Sequence, residues 1–162
     1  MAAQVEVLVE GGDWDAAALE ALALRAVAAT FGHLGIGGDL EVAVLACDDA
    51  RIAALNADFR GKPQPTNVLS WPSEDRGADE DGAVPRPPEA GEDTLGDIAI
   101  AHETCLREAA EAARPFEDHV AHLLVHATLH LLGYDHTRPK DAELMEGLEV
   151  EILATLGVPD PY

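Results

Sequence analysis

Three histidines, His126, His130 and His136, stand four and then six residues apart and could together bind one metal ion. In a helix, residues i and i+4 lie on one face about one turn apart, so His126 and His130 can present two imidazole nitrogens to the same point. Gly133 can adopt the left-handed conformation that ends a helix, after which the chain can carry His136 back toward that point. Three neutral imidazoles with an open fourth position are the ligands of a catalytic zinc ion, whose bound water loses a proton near neutral pH. The spacing therefore predicts one Zn²⁺ ion with three histidine ligands and an open fourth position.

Two further histidines, His119 and His122, lie on the same predicted helical face. His122 is a rival ligand by type, but at about 1.5 Å per residue it lies roughly 12 Å along the helix axis from His130. Zn–N bonds are about 2.1 Å long, so these two residues cannot share an ion. His119 and His122 could instead line a cleft, carry protons or lie at the surface, and these roles stay open.

The spacing of the three ligand histidines is similar to that of the metzincin peptidases. Those enzymes carry glutamate directly after the first histidine, as the general base of peptide hydrolysis. This chain has Ala127 at that position. A methyl group cannot accept a proton, so a peptidase mechanism of this type lacks its base although the metal site is retained.

The charge of the chain limits its partners. Its 31 acidic and 10 basic residues give a formal net charge of −21, which repels a polyanion and argues against nonspecific nucleic-acid binding. Much of the acidic excess lies in residues 73–94 and in the last predicted helix. The remainder can still hold a local basic patch, for which Arg60 and Lys62 are the best candidates.

Hydrophobic periodicity and capping residues predict the elements that must position these side chains. Strands are predicted over 4–10, 40–46, about 66–72 and 95–100. Helices are predicted over about 13–30 with Gly32 near the end, after a cap at Asp48 or Asp49, and over 102–113, 116–132 and 140–156. Because strands and helices do not strictly alternate, we predict a single α+β domain. It should contain a small four-stranded mixed sheet, about five helices, and the metal site at the end of a core helix.

An acidic segment and an acidic residue between the predicted helices have separate interpretations. Residues 73–94 contain proline, glycine and acids with almost no large apolar side chain, which predicts a mobile, acidic surface insertion. Asp97, in the fourth strand, is either a polar residue at a sheet edge or a hydrogen-bond partner for a histidine N–H.

The last helix is predicted to bury Leu144, Leu148 and Ile152. Its glutamates should then lie largely outward, as a solvated face, at positions 143, 146, 149 and 151.

Length and sequence features indicate the class of protein. At 162 residues the chain suits one domain, and no segment approaches the roughly 20 apolar residues of a membrane span. The amino terminus lacks the pattern of a secretory signal, so we expect a cytoplasmic protein in which Cys47 and Cys105 are separate thiols. The sequence contains no Walker loop and no Gly-x-Ser-x-Gly motif, and we expect no nucleotide cofactor.

Taken together, the chain resembles the YbeY family of bacterial metal-dependent endoribonucleases and ribosome maturation factors. The resemblance spans nearly the whole length. It rests on Phe-Arg-Gly-Lys at 59–62, Pro-Thr-Asn-Val-Leu-Ser at 65–70, Leu-Gly-Asp-Ile at 95–98, the histidine stretch 126–136 and Asp-Pro-Tyr at 160–162. Two departures are Ala127, where the family usually has glycine, and the acidic insertion 73–94, which changes one wall of the cleft.

The resemblance implies a zinc ion held by His126, His130 and His136, with Arg60 as the functional basic residue. It also implies single-stranded RNA as the substrate, with roles in maturing the 3′ end of the small-subunit ribosomal RNA and in ribosome quality control. Small-subunit ribosomal proteins would then be partners. Two alternatives stay open: a noncatalytic assembly factor whose metal stabilises the Gly133 turn, and a metal-dependent hydrolase of another substrate. The nucleophile of an RNA reaction would be either water on the metal or the 2′-hydroxyl of the RNA.

Overall fold

A computed structural model describes residues 3–162, in which four strands form one sheet surrounded by five helices. The strands are β1 (Gln4–Val9), β2 (Glu41–Cys47), β3 (Val68–Pro72) and β4 (Thr94–Ala101). The helices are α1 (Ala16–Leu34), α2 (Asp49–Arg60), α3 (His102–Glu111), α4 (Phe116–Leu131) and α5 (Pro139–Thr155). In the order β1-β2-β4-β3, the first three strands are parallel and β3 runs antiparallel to β4. The predicted α+β fold with a small mixed sheet is confirmed.

Helix α1 is longer than predicted, and the expected end near Gly32 was wrong. The helix continues to Leu34 and ends at Gly35, which has a φ of 68°. The amide of Ile36 then donates a 2.9 Å hydrogen bond to the carbonyl of Phe31. Leu34 and Ile36 pack against the core, and this packing outweighs the modest cost of a glycine inside a helix.

The expectation that no segment approaches a membrane span was wrong by length and composition: among residues 3–162, α1 is the one helix long and apolar enough to cross a bilayer. One stripe of the helix has partners within the domain: Ala23, Ala26 and Val27 have no exposed surface, and the helix packs against β1 and α4, whereas Leu24 is 45% exposed. Packing in the core therefore accounts for the buried stripe of α1.

Helices cover the two faces of the sheet unequally. The larger core lies between the sheet and the helices α1 and α4, with α5 packed on α4 and α1. A smaller cluster on the sheet includes Ile52 of α2, Leu69 and Ala99. Helix α4 thus contacts both strands and helices, and its side chains are held by packing along most of its length.

The predicted acidic insertion has no helix or strand between β3 and β4 over residues 73–93, and residue 94 already belongs to β4. Within it, Arg76 departs from the predicted surface position. Arg76 is 2% exposed, and its guanidinium pairs with Glu92 and contacts the carbonyl of Leu131 at the end of α4. The amide of Arg86 donates a 3.0 Å hydrogen bond to the carbonyl of Arg76. One part of the segment is therefore anchored against α4, and the mobility of the remainder stays a prediction.

Both cysteines, Cys47 and Cys105, are free and buried, as predicted. Burial, together with the charge of Asp48, raises the pKa of Cys47 to about 11. Burial, followed by the charge of Glu108, raises the pKa of Cys105 as well. Both side chains are therefore neutral core residues at physiological pH.

Candidate metal centre

Two of the predicted ligands are presented by one turn of α4. Nε2 of His130 lies 3.1 Å from Nε2 of His126, and their ring planes are nearly perpendicular at 84°. When two imidazole nitrogens bind one zinc ion with bonds of about 2.1 Å and tetrahedral angles, the two nitrogens lie roughly 3.4 Å apart. The spacing of these two nitrogens is therefore close to that of a shared ion.

The turn after α4 brings the third histidine to the same place. Gly133 has a φ of 101°, its amide bonds the carbonyl of His130, and the amide of Tyr134 bonds the carbonyl of Leu129. This pair of hydrogen bonds is the Schellman motif, in which a left-handed glycine closes the helix. The ring of His136 then lies 5.2 Å from that of His126 and 5.0 Å from that of His130, between centroids.

One ring nitrogen from each of the three histidines lies within 4.8 Å of the others, so the group could hold a metal ion. Burial, followed by the charges of His126 and His136, lowers the pKa of His130 to about 4. A neutral imidazole keeps the lone pair that a metal ligand needs. The residues present therefore fit a divalent transition metal with one position left open by the protein.

A glutamate from α5 completes the support of the first ligand. Nδ1 of His126 lies 2.9 Å from Oε2 of Glu149, whose side chain has no exposed surface. An ionised carboxylate can only accept, so the N–H is on Nδ1 and the lone pair of His126 is on Nε2, facing His130. A hydrogen bond of this kind fixes the tautomer and orientation of a metal-binding histidine.

The buried position of Glu149 corrects the prediction for one of the four glutamates of the last helix, whereas those at 143, 146 and 151 are exposed or partly exposed, as predicted. The inward stripe of α5 passes through Met145, Glu149, Ile152 and Leu153, whereas Leu144 and Leu148 are only partly buried. The helix is thus rotated by about one residue from the predicted face, which carries Glu149 beneath the histidines.

Glu149 also accepts hydrogen bonds from two other groups. Nε2 of His122 lies 2.7 Å from Oε1, and the hydroxyl of Tyr162 donates to the same oxygen. Burial by itself raises the pKa of Glu149, but the hydrogen bonds from His122, His126 and Tyr162 outweigh it and hold the pKa at about 2. Burial, and then the bond to Glu149, raises the pKa of the Tyr162 hydroxyl. Of the roles left open for His122, lining the cleft fits, because His122 lines the arm that contains the three grouped histidines. Its bond to Glu149 is a contact that the sequence did not predict.

His119 lies farther along α4, outside the ligand group. Its Nε2 is 2.9 Å from Oε1 of Glu108 on α3, and Asn67 donates to the same oxygen at 3.0 Å. His119 is 9% exposed. Its position indicates a packing role between α3 and α4.

Asp97 lies on an exposed part of β4, against Trp71 and Ala43. It faces a groove lined by Glu6, Leu8 and Leu55, which contains none of the three ligand histidines. Neither interpretation proposed for Asp97 holds in full. The side chain is exposed, but β4 lies between β2 and β3 and not at the sheet edge. The residue that accepts from the N–H of His126 is Glu149.

Arg60 lines the cleft that contains the three histidines. This cleft has two arms that share Arg60, Ser70 and His130. The metal-side arm also contains His126, His136, Asn67 and Tyr162, and the insertion-side arm is walled by parts of the segment 73–94. Arg60 ends α2 before Gly61, which has a φ of 69°. Lys62 is exposed and does not line either arm.

The position next to the first ligand is consistent with the absence of a peptidase base. Ala127 is 1% exposed and has no proton-accepting group. The metal-side arm of the cleft contains the three grouped imidazoles and Arg60, a set suited to an anionic substrate.

Comparisons with known proteins agree on one family. A family model described as Endoribonuclease YbeY matches residues 6–157. A protein of that name from a Ruegeria strain is 59% identical over 162 residues, which cover 98% of this chain and 95% of the relative. Another from Dinoroseobacter shibae is 58% identical over 164 residues, covering 99% and 91%. A solution structure from Thermotoga maritima, 22% identical, covers 95% of this chain and 92% of its own with a TM-score of 0.56, and supports the fold.

Proposed function

Because this chain belongs to the Endoribonuclease YbeY family, we propose that it is a metal-dependent endoribonuclease that cleaves single-stranded RNA. One observation carries the metal dependence: nitrogens of His126, His130 and His136 lie within 4.8 Å of one another in a cleft lined by Arg60. Relatives that are 53–59% identical bear the name of an endoribonuclease, which supports the reaction class.

Zinc is the ion we propose for this site. Three imidazoles with an open position are typical of catalytic zinc, and a bound ion of this kind supplies Lewis-acid polarisation of a phosphoryl oxygen. The three histidines hold the ion in place, while Glu149 keeps the N–H of His126 on Nδ1. The low pKa of His130 keeps that ring neutral throughout the physiological range.

Arg60 is the residue we propose to act on the scissile phosphate. A guanidinium presents two parallel N–H groups that match phosphate oxygens and stabilise the charge that develops on them. Within residues 3–162, Arg60 forms no ion pair with an acidic side chain, so its charge is free for a ligand. Gly61 ends the helix directly behind it, and Pro63 and Pro65 stiffen the loop that follows.

The cellular role we propose is maturation of the 3′ end of the small-subunit ribosomal RNA, together with ribosome quality control, in the cytoplasm. The net charge of −21 disfavours general RNA binding and favours basic partners. Small-subunit ribosomal proteins fit this requirement, because their docking would bring an acidic enzyme to an RNA site without a large basic surface.

Paired substitutions test the proposal. His126→Ala and Arg60→Ala should each lower the cleavage of a single-stranded RNA by at least about 100-fold, the usual effect of losing one charge-stabilising group. His33→Ala and Arg25→Ala are matched controls, because His33 pairs with Glu151 on the surface and Arg25 lies outside the cleft. Folding is checked by circular dichroism. Cleavage that persists in the folded His126→Ala and Arg60→Ala proteins would contradict the proposal.

A further inference from the structure

Tyr162 combines high exposure with a fixed position. The residue is 62% exposed, yet its hydroxyl donates to the buried carboxylate of Glu149. Its ring meets His122 edge-to-face, with centroids 5.5 Å apart and planes at 87°. Its backbone amide donates a 2.8 Å hydrogen bond to Asp160. An aromatic ring held at its hydroxyl end, with more than half of its surface exposed, loses little conformational entropy when a ligand stacks on it.

The ring lies beside the metal centre. Tyr162 lines the metal-side arm of the cleft together with His126, His130, His136 and Arg60. A ligand that reaches the open position of the ion from this arm therefore passes the ring.

Phosphate contacts alone cannot supply much affinity in this cleft. Three arginines line its two arms, but Arg76 is buried and paired with Glu92. Arg138 pairs with Asp141 and donates to the carbonyls of Ala78 and Asp79. This leaves Arg60 as the one unpaired arginine of the cleft within residues 3–162, in a chain of net charge −21. A polyanion bound here needs an attraction that does not depend on charge.

We propose that Tyr162 is a stacking platform for one unpaired base of the RNA, next to the cleavage site. This inference rests on the proposed function and names how the substrate is held. Unpaired bases present free π-faces, and aromatic side chains bind them by stacking with little dependence on sequence. Bases in a duplex are stacked on one another and cannot reach the ring. The platform therefore also favours single-stranded over double-stranded substrates.

Two substitutions separate the ring from its hydroxyl. Tyr162→Phe keeps the ring and removes the bond to Glu149, whereas Tyr162→Ala removes both. Single-turnover cleavage of a short oligouridylate, with full-length metal-loaded protein in excess, gives the half-saturating protein concentration and the maximal rate. Losing one base–aromatic stack weakens binding by roughly 5- to 150-fold. The alanine variant should show this increase in half-saturating concentration with its maximal rate within about threefold. The phenylalanine variant keeps the ring but loses the hydroxyl that fixes it, so its half-saturating concentration should lie between those of wild type and the alanine variant.

The substrate offers a complementary test. Each member of a set of oligouridylates can lack the base of one nucleotide. Wild-type protein should bind one member of this set more weakly than the complete oligouridylate. The alanine variant should bind that member and the complete oligouridylate equally. Metal content by elemental analysis should be equal in all three proteins.

Each contrary result has a distinct meaning. An alanine variant that half-saturates like wild type overturns the platform while leaving the nuclease intact. A phenylalanine variant as impaired as the alanine variant also overturns it, because the hydroxyl rather than the ring is then responsible. If wild type neither binds nor cleaves the RNA, the proposed function itself fails and the platform fails with it.

Discussion

Glu149 of α5 accepts a hydrogen bond from Nδ1 of His126 on α4, with 2.9 Å between the two atoms. The two residues are separated by 23 positions in the chain and meet only because the two helices pack together. The bond holds the imidazole so that its other nitrogen faces His130 at 3.1 Å. The geometry of the candidate metal centre thus depends on a residue outside the three grouped histidines.

Replacing Glu149 should weaken metal binding. In Glu149→Gln the single amide oxygen cannot accept from His126, His122 and Tyr162 together, and the negative charge is lost. Loss of such a supporting bond typically costs 10- to 100-fold in metal affinity, so we expect about that change. Competition for Zn²⁺ with a chromophoric chelator measures it. Glu151→Gln on the same helix, an exposed residue that pairs with His33, is the control. Equal affinities for the two variants would show that Glu149 does not position the ligand.

Gly133 should be intolerant of any side chain. Its φ is 101°, and an added Cβ would lie 2.8 Å from the carbonyl carbon of Arg76. Gly133→Ala should lower the free energy of unfolding by about 1–3 kcal/mol, the cost of a strained backbone position. Gly37→Ala is the control, because nothing lies within 4 Å of a Cβ built there. Urea denaturation of both metal-free proteins checks the difference, and similar losses would argue against a strained turn.

RNA binding should depend weakly on salt. Each phosphate neutralised on a single strand contributes about −0.7 to the slope of log K against log salt. With Arg60 and one metal ion as the free cations of the cleft, the slope should be about −1 to −2. Half-saturating concentrations measured over a series of KCl concentrations give this value. A slope of about −4 or steeper would indicate a phosphate-binding surface outside the cleft.

Both cysteines should react slowly in the folded protein. Burial is the main cause that raises the pKa of Cys47 to about 11, so at pH 8 only about one thiol in a thousand is ionised. Because this folded pKa is higher than the ordinary value of 9.0, the thiol favours the folded state below about pH 9, and this contribution is lost as pH rises through about 11. Alkylation of native protein by iodoacetamide, followed by mass spectrometry, should rise about tenfold per pH unit between pH 8 and 10. A rate that levels off near pH 9 would contradict the buried position.

The sequence predicted the elements and the grouping of the three histidines because both depend on local spacing. The separation of His126 and His130 by four residues places them on one helical face, and Gly133 is the residue type that a left-handed turn favours. The strands followed from alternating apolar residues, and one of the two aspartates proposed as the cap of α2, Asp48, is that cap.

The supporting residues could not be predicted in the same way, because they depend on contacts between distant elements. Glu149 looked like one of several surface glutamates, and a rotation of α5 by about one residue decides that it points inward. A signal was present: a histidine ligand requires an acceptor for its second N–H, and Glu149 lies on one stripe with Met145 and Ile152. The burial of Arg76 could not be predicted either, because Arg76 lies in a segment whose composition predicts a mobile loop. Its buried partner, the carbonyl of Leu131, lies at the end of the distant helix α4.

RNA cleavage by this chain should require a metal ion at His126, His130 and His136. The most direct measurement is elemental analysis of purified protein combined with a single-stranded RNA cleavage assay before chelation, after chelation and after return of Zn²⁺. We predict one ion per chain, loss of at least about 100-fold of the activity on chelation, and recovery when the ion is restored. Metal-free protein that cleaves RNA as fast as the loaded protein would contradict the claim.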